Sequence, residues 1–143
     1  MLSEKVKDYL KENGWWYDDS TASYEGALAS IGIDVNSDIA FFFLHAESGP
    51  TFSGRKGDIY QLCWFIINTD YQLNIKSAHE SLKIPEDYIP LDGFEGGGGY
   101  FYNRKTGEIV ELEFGDKLIK FLNGSLKPQW KDFNSFIEYF FDL

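Results

Sequence analysis

The sequence predicts an α+β fold, with helices through its first third, a small sheet in its middle and a helix at its end. Three observations carry that prediction. Apolar residues recur at helical spacing between Ser3 and Leu44, and again between Phe133 and Phe140. Val110, Leu112 and Phe114 alternate with Glu111 and Glu113, the pattern of a strand with one side on a core and one in water. Between these parts, Tyr88 to Pro90, four consecutive glycines at 96–99 and Tyr100-Phe101-Tyr102 read as a strand, a bend and a central aromatic strand.

In chain order, Val6, Tyr9 and Leu10 place a first helix over Ser3 to Lys11, stopped by Asn13-Gly14. Trp15-Trp16-Tyr17 followed by Asp18-Asp19 then sets three large aromatics against two acids in a loop. Such a cluster suits a protein interface, where aromatics supply area and acids form the rim. Adjacent aromatics can equally pack one inward and one outward beneath a helix. Ser20 to Ser23 offers N-caps for a second helix carrying Tyr24, Ala27, Leu28 and Ile31, with Gly32 at its end. Asn36 or Ser37 caps a third, with Ile39, Phe42 and Phe43 on its buried side and Gly49-Pro50 after it.

Phe52 to Gly57 is polar and glycine-bearing, hence a loop. Ile59 to Ile67 is a continuous apolar run, a strand or a short helix passing into one. Ser77 and Glu80 have capping-box spacing for a single turn through Leu82. Lys83 to Leu91 is extended between two prolines. A hairpin then joins Gly99–Asn103 to Glu108–Phe114 over Arg104-Lys105-Thr106-Gly107, and Leu118 to Leu122 reads as a further strand. Asp132 can cap a last helix in which Phe133, Phe136, Ile137 and Phe140 form one apolar stripe, expected to cover the sheet.

The totals narrow the function. At 143 residues the chain is expected to be one domain over 1–143, able to bury a core without disulfides. Apolar runs such as Ala40–Leu44 and Cys63–Ile67 fall far short of the roughly 18 residues of a membrane span. The N-terminus lacks signal-peptide character, so a cytoplasmic location is expected. Acids exceed Lys+Arg by 23 to 13, a formal charge of −10 that repels nucleic acid and anionic lipid and either attracts a basic partner or equally serves solubility alone.

Catalytic chemistry finds little support. The glycine run is followed by strand residues instead of the helix that a phosphate cradle needs. Asp92 and Glu95 flank the bend and are the minimum for a carboxylate pair, with no nucleophile beside them. Cys63 sits in an apolar run and reads as a buried small hydrophobe, while His45 and His79 lack companions at ligand spacing. No enzyme, cofactor or metal is expected.

Tyr24 to Ile33 followed by Asp38 to Leu44, the turn Ser48-Gly49-Pro50, Ile84-Pro85 through Ile89-Pro90-Leu91 into Gly97-Gly98-Gly99-Tyr100-Phe101, Thr106 to Val110, and Asn134 to Phe140 follow one another in a characteristic order. That order and spacing resemble the SUKH superfamily, shared by yeast cell-wall-synthesis regulators of the Smi/Knr type and many bacterial toxin-immunity proteins. Val35-Asn36 stands where the family has Leu-Pro, and Phe52 to Ser81 has no counterpart. The resemblance implies a mixed, mostly antiparallel sheet flanked by N-terminal helices and a C-terminal helix, without catalytic residues. It also implies an immunity protein that neutralises a cognate toxin, or else a regulatory scaffold of the yeast type. For a basic, nuclease-like toxin the expected contact residues are Trp15, Trp16, Asp18 and Asp19 from the loop and Asp92, Glu95 and Tyr100 from the bend.

Overall fold

Hydroxyl caps set the starts of two of the first three helices. In the computed structural model, which describes residues 1–55 and 57–143, α1 (Glu4–Glu12) buries Val6 and Leu10 and ends at Asn13. The Thr21 hydroxyl accepts the Tyr24 N–H at 3.3 Å to open α2 (Ala22–Ser30). The Ser37 hydroxyl does the same for Ala40 at the start of α3 (Asp38–His45), whose Ile39, Ala40, Phe42 and Phe43 are buried. Each satisfied N–H is worth about 1 kcal/mol against an alanine cap. These three helices follow the sequence reading closely.

After α3 the sequence reading needs correction. Phe52 to Gly57 is not a loop throughout: β1 (Thr51–Gly54) and β2 (Gly57–Tyr60) form an antiparallel hairpin with Phe52 opposite Ile59. Each strand carries only one fully buried side chain, too few for alternation to show. Lys56, within the expected loop, lies outside the described residues. The apolar run beyond Ile59 resolves into the end of β2 and α4 (Leu62–Asn68).

The α+β class holds, with the strands divided between two antiparallel sheets where one was expected. Two compact units contain them, residues 1–69 with 134–143, and residues 70–133. In the first, the rings of Phe42, Phe43 and Phe52 pack edge-on or tilted, with centroids 5.0–6.5 Å apart. In α7 (Phe133–Phe140), Phe133, Phe136, Ile137 and Phe140 are all fully buried, as the stripe predicts. Asp38 Oδ2 accepts the Asn134 N–H at 3.0 Å at the start of that helix.

The last turn of α7 lies on β1. A Cβ built on Gly54 would stand 2.6 Å from the Phe140 carbonyl oxygen, and the Arg55 N–H donates to that same oxygen at 2.8 Å. Glycine is therefore required by close approach, not by its φ. Gly54→Ala is expected to cost about 2 kcal/mol, because backbone must shift to admit the methyl. Urea denaturation would read this, and a loss below about 0.5 kcal/mol would show that α7 does not bear on the hairpin.

In the second unit, α5 (Tyr71–Glu80) replaces the single turn expected through Leu82, and Ser77 stands in its last turn instead of capping it. Tyr71, Ile75 and Ala78 are its buried face. The three-stranded sheet has order β3-β4-β5, with β3 (Tyr88–Pro90), β4 (Gly98–Asn103) and β5 (Ile109–Glu113) antiparallel, so the aromatic strand is central as expected. Val110 and Leu112 are buried, whereas Phe114, expected to join them, lies past the end of β5 and is 63% exposed. Leu118 to Leu122 belongs to α6 (Asp116–Leu122) and not to a strand. Leu118 and Phe121, three residues apart, pack on the Tyr88–Phe101–Leu112 core while Ile119 and Leu122 face solvent, a helical division of one apolar run. Among the described residues no helix is long and apolar enough to cross a membrane.

Candidate functional site

The aromatic–acid loop is held as a strand-like segment against the residues that follow α3. The Tyr17 N–H donates to the His45 carbonyl at 2.7 Å and the Glu47 N–H to the Trp15 carbonyl at 2.9 Å, with Trp16 and Ala46 bridged antiparallel. Successive side chains of an extended segment point to opposite sides. Trp15 accordingly turns inward, its ring 6.0–6.1 Å from those of Tyr9, Phe52 and Phe141. Trp16 turns outward onto the end of α3, stacked on His45 at 5.2 Å and 21° and tilted against Phe41 at 5.7 Å. Both tryptophans are half-buried, and Trp16, on the outer side, also has the Lys11 ammonium 5.9 Å from its ring centroid.

Asp18 and Asp19 are exposed, as expected. Asp18 Oδ1 accepts the Trp16 Nε1–H at 2.9 Å and so orients the indole. His45 Nδ1 lies 2.8 Å from the Tyr17 carbonyl, which can only accept, so Nδ1 carries hydrogen there. The isolated histidine of the sequence thus serves to fix the loop.

Behind Trp16 opens a cleft of about 410 Å³ whose walls include Tyr17, Tyr24, Asp19, Glu47 and His45. The Tyr24 hydroxyl donates to Glu47 Oε1 at 2.6 Å. Burial, then the hydrogen bond and negative charge of Glu47, push the Tyr24 phenol above its ordinary range, so it keeps its proton as a donor. Cys63 lies beneath, fully buried, with Sγ 3.7 Å from the Tyr24 and Phe43 carbonyls. Burial and the Glu47 charge push its thiol up to about 12, which leaves essentially no thiolate at neutral pH. This cysteine is a small hydrophobe of the core, as its sequence context implied.

Sequence reasoning overlooked Tyr24 and Glu47, which stand 23 residues apart. The packing of α2 on α3 and the bridge of Trp16 to Ala46 bring their segments together, and no local pattern announces either.

The three bend residues belong to the other unit, residues 70–133. Asp92 is a structural stitch: Oδ1 accepts the Phe94 N–H at 3.1 Å and Oδ2 the Tyr100 N–H at 3.2 Å. A Cβ on Gly99 would approach the Asp92 carboxyl carbon to 2.9 Å, so the stitch explains one of the four glycines. Glu95 is exposed at the turn Glu95–Gly97. Tyr100 is 5% exposed, its ring edge-on to Trp130 at 6.0 Å, and it is corrected from contact surface to core. His79 Nε2 lies 2.7 Å from the Tyr88 carbonyl, a structural tie like that of His45.

Among the described residues no group of three or more His, Cys, Asp or Glu could hold a metal ion. The chemistry the Trp16 surface offers is recognition: an aromatic platform, two flanking aspartates, and a cleft with a fixed phenol and a carboxylate. No protein-family model, curated protein or solved structure matches the chain.

Proposed function

We propose that the protein is a non-catalytic binding module of the cytoplasm that captures a basic protein through the Trp16 surface, and that the captured protein is a toxin domain which it neutralises. The observation that carries the binding reading is the Trp16 platform, stacked on His45, oriented by Asp18 and bordered by the exposed Asp19. Stacked tryptophan offers area at low entropic cost, and acids around it steer and orient a cationic partner. The chain's charge of −10 works in the same direction over longer range. The toxin as occupant rests on the resemblance to the SUKH superfamily; the inert Cys63 and the structural roles of His45 and Asp92 favour binding over catalysis.

The test is affinity capture from the native cell with the whole chain as bait, in parallel with Asp19→Lys and Asp18→Lys/Asp19→Lys baits. The expected result is one chain with a basic domain, recovered by the native protein and depleted by the variants. That domain should arrest growth when expressed alone and be silenced by co-expression. Recovery of regulatory proteins without toxic activity would replace the toxin reading with the scaffold one.

A kinetic prediction accompanies it. Because Asp18 and Asp19 are exposed, both variants should keep the native circular dichroism; Asp19→Lys should keep the melting temperature, and the double variant, which loses the acceptor of the Trp16 Nε1–H, should lower it slightly. Association with the basic partner at low salt should slow by roughly tenfold, and the difference should shrink at high salt as screening removes the steering. An unchanged rate at low salt would take the loop out of the interface.

A further inference from the structure

The cleft behind Trp16 has a chemistry narrower than acidic. Among the described residues its walls carry two carboxylates, Asp19 and Glu47, and no lysine or arginine. Neither carboxylate has an ion-pair partner among the described residues. Of the three lysines of α1, Lys5 pairs with Glu138 and Lys7 with Glu4, while Lys7 and Lys11 lie about 6 Å over the rings of Phe41 and Trp16. Among the described residues the cleft therefore holds two formal negative charges without a paired cation.

Its remaining features favour one kind of cation. Glu47 spends one lone pair of Oε1 on the Tyr24 hydroxyl, which fixes its carboxylate plane and leaves the rest of its acceptor capacity open. A fixed carboxylate suits the two parallel N–H donors of a guanidinium better than the point charge of an ammonium. The rings of Tyr17, 55% exposed, and Tyr24 supply aromatic faces along which a planar cation can lie. A volume of about 410 Å³ falls within the range of small-ligand sites, ample for one long side chain.

We propose that this cleft is a receptor for a single guanidinium group, an arginine side chain of the basic partner, held by Glu47 and Asp19 between Tyr17 and Tyr24. The source of the arginine rests on the functional reading above; the chemistry of the cleft does not. Glu47, held by Tyr24, fixes the donor fork, and Asp19 at the cleft wall adds the second charge.

The experiment is an amide NMR titration of the whole chain at low salt with N-acetyl-arginine methylamide. The matching citrulline compound is the uncharged isostere and the lysine compound the ammonium control. Saturable shifts should centre on Tyr17, Tyr24 and Glu47, with citrulline binding at least roughly tenfold more weakly and lysine between the two. Glu47→Gln, which keeps an acceptor for the Tyr24 hydroxyl and so preserves the fold, should weaken arginine binding about tenfold. Asp19→Asn should weaken it less. Free agmatine binding more tightly than the blocked arginine would confirm the guanidinium site while assigning it to a small metabolite.

Shifts equal for arginine and citrulline, shifts unchanged in Glu47→Gln, or no saturation at the cleft would overturn the proposal. Partner capture through Trp16 could survive any of those results. Conversely, a captured partner without basic character would end the functional reading while the guanidinium titration stood, so the two fail separately.

Discussion

Replacing Gln61 by leucine is expected to lower the free energy of unfolding by about 3–5 kcal/mol, a large part of what holds a domain of this size together. Gln61 is fully buried, and its side chain uses both ends. Nε2 donates to the Phe43 carbonyl at 2.9 Å and the Ala46 carbonyl at 2.8 Å; Oε1 accepts the Cys63 N–H at 2.8 Å and, more weakly, that of Trp64 at 3.4 Å. One amide thereby ties the C-terminal end of α3 to the N-terminal end of α4. Leucine would leave two carbonyls and an N–H buried without these partners, each costing about 1–3 kcal/mol, against a modest gain in apolar burial. Urea denaturation would measure the loss, and a change below about 1 kcal/mol would show that the freed groups find other partners.

Gln61→Glu supplies a finer test of the same tie. Its protonated acid is nearly isosteric and can donate one hydrogen bond; its carboxylate cannot donate at all. Burial would raise the folded-state pKa of the new acid, so the variant should gain stability on acidification and lose it as pH rises through that value. Because Leu44, His45 and Ala46 line the cleft, both variants should also broaden or shift the amides of Tyr17 and Glu47. Stability and recognition are coupled here through the end of one helix.

Gln61 also marks where sequence reasoning loses its grip. Glutamine is not among the favoured N-caps, and nothing in the run around it reveals that it will be buried between two helices. Helices α1 to α3 were legible because local residues decide them: Thr21 and Ser37 cap, and the buried positions recur on one face. The central aromatic strand was legible because glycines and prolines punctuate it. α5 was missed although Tyr71, Ile75 and Ala78 carry a helical spacing, because the Ser77/Glu80 pair suggested a start where the helix in fact ends. The two tryptophans were legible as a pair but not as individuals. Both are half-buried; their turning to opposite sides follows from the extended segment bridged to Ala46, 30 residues away.

Asp92 leads to the other large expected effect, a stability that falls as pH rises. Burial pushes its carboxyl up to about 6 from an ordinary value of 3.8, against the two backbone N–H groups of Phe94 and Tyr100 that pull it down; Glu111 and Glu95 add smaller upward contributions. Lys117 is engaged with Glu111 at 3.5 Å. Between those two pH values the folded chain binds more protons than the unfolded one. Stability should therefore decline by up to about 3 kcal/mol as pH rises from about 4 to about 6, and flatten above. Other acids contribute their own slopes, so the diagnostic quantity is the difference between the native chain and Asp92→Asn. Asparagine keeps an acceptor for one N–H, forfeits the other at about 1 kcal/mol, and carries no charge to desolvate at any pH. The variant should thus be less stable at pH 4 and more stable at pH 7, with the crossing inside the titration window. A pH-independent difference between the two chains would mean that Asp92 is ionised throughout, and that the glycine bend is stitched by a carboxylate that water still reaches.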